Sequence, residues 1–173
     1  MTYFIARRVI HRPKLTITVE PTLVLRPEDL DVHDSLELSV KGKKVQALCA
    51  LSLEIACKGR KDVVVPDAGR GRAPGATPLP RVDFNGFRIV GIRTLNNDAS
   101  RFYIPLGRHS GGRGVYLNIH RLRAGAVARF QIIGELETGR AQFDPEQCHV
   151  FPGAIPDVDL LTRGTVARPW LKE

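Results

Sequence analysis

The run ALCALSLEIACKGRKDVVVP, residues 47–66, contains the most regular alternation of side chains in the chain. From Cys49 to Cys57 every second residue is Cys, Leu or Ile, and the residues between them are Ala, Ser or Glu. A period of two places these two sets on opposite faces of a β-strand, one of them buried. The polar residues 58–62 predict a turn, and the valines at 63–65 predict a second short strand.

Similar short apolar segments recur along the chain, separated by glycine, proline and charged turns. A change of phase across Gly91 predicts a β-bulge at that glycine, and Pro105 predicts that its strand lies at a sheet edge. Lys41-Gly42-Lys43 predicts a hairpin loop. Roughly seven to nine strands without a convincing helix predict an all-β domain of two stacked antiparallel sheets, with an open barrel as the competing architecture.

Composition limits the class of protein. The chain has 173 residues, of which 43% are apolar, and no apolar run approaches the roughly 18 to 20 residues that span a bilayer. The N-terminus lacks the basic start and long apolar core of a signal peptide. Three cysteines, two of them on the strand from Cys49 to Cys57, agree with a reducing compartment. We therefore expect a cytoplasmic protein without a membrane span.

The chain is basic, with 26 Lys and Arg against 18 Asp and Glu and a formal charge of +8. Such a charge can attract nucleic acid, anionic lipid or acidic proteins. The basic residues are dispersed over several turns, which favours a role in solubility. If these loops meet, they form an anion-binding rim, for which the candidates are Arg70, Arg72, Arg113 and Arg123.

The alternation ends at Glu137, which predicts a β-sandwich domain over residues 1–137 and an extended proline-rich C-terminal tail over residues 138–173. Spaced apolar residues in the tail can pack on its own domain or add to a neighbour's sheet edge or groove. The sequence leaves these alternatives open. The candidate partner-binding residues of the tail are Phe151, Leu160, Leu161 and Trp170.

Two parts of the chain together resemble a known family. Residues 51–55, LSLEI, precede the turn KGR at 58–60 and then Asp62. Much later LNI at 117–119 leads through the turn RAG to Phe130. This pattern resembles an immunoglobulin-like accessory domain found in many uncharacterised bacterial proteins.

The resemblance covers roughly residues 15–136. Lys58 and Ala124 stand where that family usually has asparagine and proline. The resemblance implies an immunoglobulin-like antiparallel β-sandwich that acts as a non-catalytic module, often joined to a membrane anchor or an effector.

Motifs for catalysis or for cofactors are not found in the sequence: it has no GxSxG, phosphate loop, HExxH or CxxC. The run GGRG at 111–114 precedes no helix that would bind phosphate. The five histidines are scattered, and the acidic residues 28–34 fit a solvated turn better than a calcium loop. We expect no catalytic residues, metal or cofactor.

The sequence therefore predicts a non-catalytic module for protein interaction or structural assembly of a bacterial complex, with a protein partner or self-association. The alternative is a basic nucleic-acid-binding or nucleotide-sensing β domain that binds its ligand through the dispersed basic loops. Steep salt dependence of binding would distinguish the second from the first.

Overall fold

A computed structural model describes residues 14–26, 39–65, 79–96, 98–109, 111–137, 142–153, 155 and 158–162. These residues form several sheets and no α-helix, which confirms the predicted all-β class. Leu36, Leu38 and Val40 alternate with polar residues and also predict a strand, of which Leu36 and Leu38 lie outside the described residues. The strands are β1 (Leu15–Leu25), β2 (Ser39–Val40), β3 (Lys43–Lys44), β4 (Leu48–Cys57), β5 (Arg81–Phe84), β6 (Phe87–Thr94), β7 (Phe102–Tyr103), β8 (Leu106–Arg108), β9 (Gly114–Leu117), β10 (Arg121–Leu122), β11 (Val127–Leu136), β12 (Cys148–Phe151) and β13 (Val158–Thr162).

The largest sheet has five strands in the order β13-β1-β4-β11-β6. Its centre, β4, is the strand predicted from the alternation, and its alternate side chains from Cys49 to Cys57 are at most 1% exposed. β1 and β11 pair with β4 antiparallel, and β6 pairs antiparallel with β11. At the other edge β13 pairs with β1 in parallel.

A β-bulge in β6 lies where the change of phase predicts it. Ile133 of β11 pairs with Gly91, whereas the next residue, Gly134, pairs with Ile89, so Val90 is the extra residue. The bulge allows Phe87 and Ile89 to point into the core although the alternation changes phase after Val90.

The second large sheet has four strands in the order β12-β5-β9-β8. The strand predicted around Pro105 is divided: β7 pairs with β10 in a separate two-stranded ribbon, and β8 joins this sheet. Pro105 lies between the two pieces and cannot donate to a ladder, which explains the division. β8 is an edge strand, as Pro105 predicts.

Two smaller features also bear on the sequence predictions. β2 and β3 form the predicted hairpin, and its turn residues Lys41 and Gly42 have φ of 51° and 74°. Positive φ at both central residues suits the right-handed twist of a tight hairpin. The valines at 63–65 do not form a strand, and only Val63 makes an isolated bridge, to Leu122.

The inner faces of both large sheets contribute to one apolar cluster. At one side of it three phenylalanine rings pack together: Phe84 and Phe87 have centroids 5.9 Å apart, and Phe143 lies 5.6 Å from Phe87. Phe143 and Ile155 come from the predicted tail and are 3% and 4% exposed. The core is therefore completed by residues beyond 137.

The described part of residues 138–173 pairs with the rest of the chain. β12 pairs antiparallel with β5, and β13 pairs in parallel with β1. The segment thus contributes an edge strand to each of the two large sheets. Of the two alternatives for the tail, packing on its own domain is the one these residues adopt.

Candidate functional site

The structure separates the predicted anion-binding arginines. The Arg113 guanidinium forms an ion pair with Glu137, just after β11 ends, whereas Arg123 lies in the turn before β11 begins. β11 has 10 residues, so the two arginines lie about 30 Å apart along it. Arg70 and Arg72 lie outside the described residues. The positions of Arg113 and Arg123 therefore do not support a single anion-binding rim.

Three loops meet instead at the end of the molecule where β4 stops and β11 begins. The backbone N–H of Ala124 donates to the Asp62 carboxylate at 2.9 Å, and the N–H of Arg123 donates to the Arg101 carbonyl at 2.9 Å. These bonds hold the loops side by side although the chain separates them by tens of residues. We call this end of the molecule the basic end, and its loops are residues 58–62, 98–101 and 123–125, with Lys14 and Arg121 beside them.

Cations outnumber carboxylates strongly at the basic end. Asp62 and Asp98 are its only carboxylates within the described loops. The Ser100 hydroxyl donates to Asp98, which lowers the pKa of that carboxyl, and nearby Arg101 lowers it further. Asp98 therefore stays ionised and opposes part of the positive charge. The cations are Lys14, Lys58, Arg60, Lys61, Arg101, Arg121 and Arg123, of which all except Arg121 are exposed.

An exposed pair of rings adjoins the basic end. The Tyr103 side chain is 58% exposed, and its ring packs against His120 with centroids 5.1 Å apart. Arg121 pairs directly with Tyr103 across the β7 and β10 ribbon. The Arg121 guanidinium donates to the carbonyls of Ala99 and Ser100, which fixes it over the neighbouring loop. Two flat rings and one fixed cation, Arg121, thus lie side by side.

A second polar cluster lies on the outer face of the four-stranded sheet. Arg81 on β5 holds its guanidinium over the Phe151 ring, with 4.0 Å from Cζ to the ring centroid. Its Nε lies 3.1 Å from Asp83 Oδ1. The two atoms are poorly aligned for a hydrogen bond, so charge attraction holds this pair. Arg81 Nη1 lies 3.3 Å from His109 Nε2, and the His109 ring meets Tyr116 edge to face with centroids 5.2 Å apart.

The residues predicted to make the tail a partner-binding element lie in different places. Phe151 is in β12 and is 45% exposed beside Arg81. Leu160 and Leu161 are in β13, where their backbone pairs with Ile17 and Thr18. Trp170 lies outside the described residues. A partner role for these four residues stays a prediction.

Chemistry that needs clustered ligands or reactive thiols has little support from the described residues. They bring together no group of three or more His, Cys, Asp or Glu that could hold a metal ion. All three cysteines are free and buried, and burial raises the pKa of Cys49 and of Cys148 to about 12. The acidic residues 28–34 lie outside the described ranges. Within those ranges no helix is long and apolar enough to cross a membrane.

Comparison with known proteins adds no functional assignment. No protein-family model and no curated protein matches this chain.

Sequence reasoning identified the basic residues but not their grouping. The polar residues 58–62 predicted a solvated turn, Arg123 was grouped with Arg70, Arg72 and Arg113, and Arg101 was not singled out. The signal was present in β4 and β11: if they pair antiparallel, the turn after β4 must lie beside the turn before β11. Antiparallel neighbours therefore predict that Lys58, Arg60 and Arg123 share one end.

Proposed function

We propose that this chain is a non-catalytic binding module that holds single-stranded nucleic acid at its basic end. The observation that carries the proposal is the convergence of three separate loops into one cluster of seven cations, Lys14, Lys58, Arg60, Lys61, Arg101, Arg121 and Arg123, against two carboxylates. Concentrated positive charge releases condensed counterions from a phosphate backbone, and this release supplies most of the affinity of sequence-independent binding.

The exposed rings beside these cations favour single strands over duplexes. Bases in a single strand are free to stack on aromatic side chains, whereas a duplex hides their faces. Tyr103 is 58% exposed and adjoins His120 and Arg121. A phosphate backbone on the cations would therefore bring a base within reach of this ring pair.

Assembly with a protein partner remains the second proposal, and one observation favours it. Phe151 is 45% exposed on a sheet face, as interface aromatic residues commonly are. The tail gives this proposal less support than the sequence suggested, because β12 and β13 pair within the same chain. We therefore propose nucleic-acid binding as the leading function.

For the fold we propose an immunoglobulin-like β-sandwich. The seven principal strands β1, β4, β5, β6, β11, β12 and β13, lettered A to G in chain order, give one sheet with the order A-B-E-D and place F beside C. These neighbours are those of immunoglobulin domains. Three departures are that G pairs with A, that the hairpin of β2 and β3 lies between A and B, and that β7 to β10 lie between D and E.

The test is binding of a fluorescein-labelled oligouridine of about twelve nucleotides, measured by anisotropy between 50 and 300 mM NaCl. We expect the logarithm of the affinity to fall linearly with the logarithm of salt, with a slope of about −0.7 for each phosphate contacted. Replacing Arg101 and Arg123 together by serine should reduce the size of that slope by one to two, because about two contacts are lost.

The matched control removes the same charge elsewhere. Lys43 lies in the hairpin of β2 and β3, and Arg93 lies opposite Gln131 at the middle of β11. The variant with Lys43→Ser and Arg93→Ser should keep the slope of the natural chain. Equal losses in the two double variants would mean that only net charge matters, and an absence of salt-dependent binding would reject the proposal.

A further inference from the structure

The outer face of the four-stranded sheet carries flat side chains on three neighbouring strands. Phe151 of β12 pairs with Arg81 of β5, and Arg81 pairs with Tyr116 of β9. In a sheet, directly paired residues project from the same face about 5 Å apart. The two rings and the guanidinium between them therefore form a row about 10 Å wide. We call this row, with His109 and Asp83 beside it, the platform.

The guanidinium of the platform is held in place on three sides. The Phe151 ring centroid lies 4.0 Å from Cζ, Asp83 lies at Nε and His109 lies at Nη1. These contacts fix a long side chain before any ligand arrives, which reduces the entropy that binding would cost. A fixed guanidinium plane is a stacking surface for a base as well as a hydrogen-bond donor.

Two glycines beside the platform leave room for neighbouring side chains. Gly107 pairs with Tyr116, and a Cβ at 107 would have only ordinary contact, 3.9 Å from Tyr116 Cβ. Gly114 pairs with Asp83, and a Cβ there would fall 2.2 Å from the Asp83 carboxylate oxygen. Gly114 thus makes room for that carboxylate, and Gly107 leaves open space next to the Tyr116 ring.

The platform continues towards the basic end along one stretch of chain. From Val115 to Ile119 buried residues alternate with half-buried ones, and His120 after them is exposed. Tyr116 lies on the outer face of the sheet. The N–H groups of Ile119 and His120 donate to the carbonyls of Leu117 and Asn118, and these tight turns keep Tyr116 and His120 within about 13 Å of each other. The His120 ring contacts the ring of Tyr103, which adjoins the basic end.

We infer that the platform is a stacking site for the bases of a single-stranded nucleic acid whose phosphates lie at the basic end. This inference rests on the proposed function and adds the path of the strand. The positive charge of the basic end favours this occupant, and so does the short stretch of chain that joins the platform to the exposed ring pair of His120 and Tyr103. Stacking on aromatic and guanidinium planes tolerates any base, so the site selects single strands without selecting a sequence.

The experiment compares variants of the full chain in the oligouridine assay described above. Phe151→Leu combined with Tyr116→Leu keeps apolar volume but removes the ring faces, and we expect an affinity loss of about ten-fold or more. The salt slope should not change, because no phosphate contact is removed. Gly107→Val should give a similar loss by covering Tyr116 without removing any group. Leu23→Ala, an exposed apolar change on β1, serves as the control and should leave the affinity unchanged.

A second readout locates the bases directly. Oligouridine containing 4-thiouridine should crosslink under ultraviolet light to Tyr116 or Phe151, identified by mass spectrometry, and the Gly107→Val variant should lose that crosslink. Normal affinity in the leucine and valine variants, together with an intact salt slope, would overturn the platform while leaving the basic end as the binding site. Absence of salt-dependent binding by the natural chain would instead overturn the proposed function.

Discussion

Gly134 shows how one missing methyl group shapes the core. A Cβ at this position would lie 2.3 Å from the Phe87 ring and 2.6 Å from the Arg88 carbonyl. Phe87 is fully buried and packs against two other rings, so it has little room to move. We expect Gly134→Ala to lower the free energy of unfolding by about 1–3 kcal/mol, as overpacking usually does.

Urea unfolding measures this change, and Gly91 on β6 provides the control. A Cβ at 91 would meet nothing within 4 Å, so Gly91→Ala should change the free energy of unfolding by less than about 1 kcal/mol. Similar destabilisation at both positions would show that the close approach of Phe87 is not the cause.

The buried thiols predict how stability depends on pH. Desolvation raises the pKa of Cys49 and of Cys148 to about 12, whereas an unfolded thiol titrates near 9. Between about pH 9 and 12 the native state therefore binds more protons than the unfolded state, and stability falls as the pH rises. The slope should approach about 1.4 kcal/mol per pH unit for each thiol.

Urea midpoints between pH 8 and 10.5 test this sign. The variant Cys49→Ala with Cys148→Ala should be less stable at pH 8, because it loses buried volume, but should show a shallower decline. Parallel declines in the two proteins would assign the pH dependence to other groups.

At the scale of elements, the segment beyond residue 137 completes both large sheets. Without it β1 and β5 would each expose an unpaired edge, and the buried side chains Phe143, Cys148 and Ile155 would be lost. Open edges invite pairing with another copy of the chain. A chain ending at Glu137 should therefore melt at a lower temperature and associate, as measured by differential scanning fluorimetry and light scattering.

A chain ending at Thr162 is the matched control for this truncation. It retains β12 and β13, so its melting temperature should stay close to that of the full chain. A chain ending at Glu137 that stays monomeric with an unchanged melting temperature would contradict the structural role of these strands.

The sequence predicts those elements whose own residues show a clear local pattern. β4 follows from the nine alternating residues 49–57, and the bulge at Val90, next to Gly91, follows from a change of phase. β12 has only 4 residues, and its side chains are half-buried or exposed at three of them, so its alternation is weak. β13 pairs with the first strand across most of the chain length, and such pairing depends on contacts that no local window contains.

At the scale of the whole molecule, the candidate site also depends on contacts that local sequence does not predict. Residue type alone identified Arg113 and Arg123 as anion-binding candidates, yet they lie at opposite ends of β11. Arg101 was missed because its turn has no local mark of function. Long-range bonds bring that turn to the basic end, from the Arg123 N–H to the Arg101 carbonyl and from Arg121 to Ala99 and Ser100. The platform was missed because its residues come from different strands that are distant in sequence.

The concentration of charge at the basic end predicts how salt affects stability. Seven cations, Lys14, Lys58, Arg60, Lys61, Arg101, Arg121 and Arg123, face two carboxylates there, and like charges held together by folding repel one another. Salt screens this repulsion over a Debye length that shortens to about 8 Å at physiological ionic strength. We therefore expect the melting temperature to rise when NaCl is increased from 20 to 300 mM.

Charge-removing variants separate this local effect from the general action of salt. Arg101→Ser with Arg123→Ser should raise the melting temperature at 20 mM NaCl and reduce its further rise at 300 mM, because less repulsion remains to be screened. Lys43→Ser with Arg93→Ser removes the same charge outside the basic end and should keep the full rise. If both variants lose the rise equally, net charge controls the response. A larger loss for the arginine pair shows that the fold maintains a repulsive cluster of cations, a cost to stability that a bound polyanion would relieve.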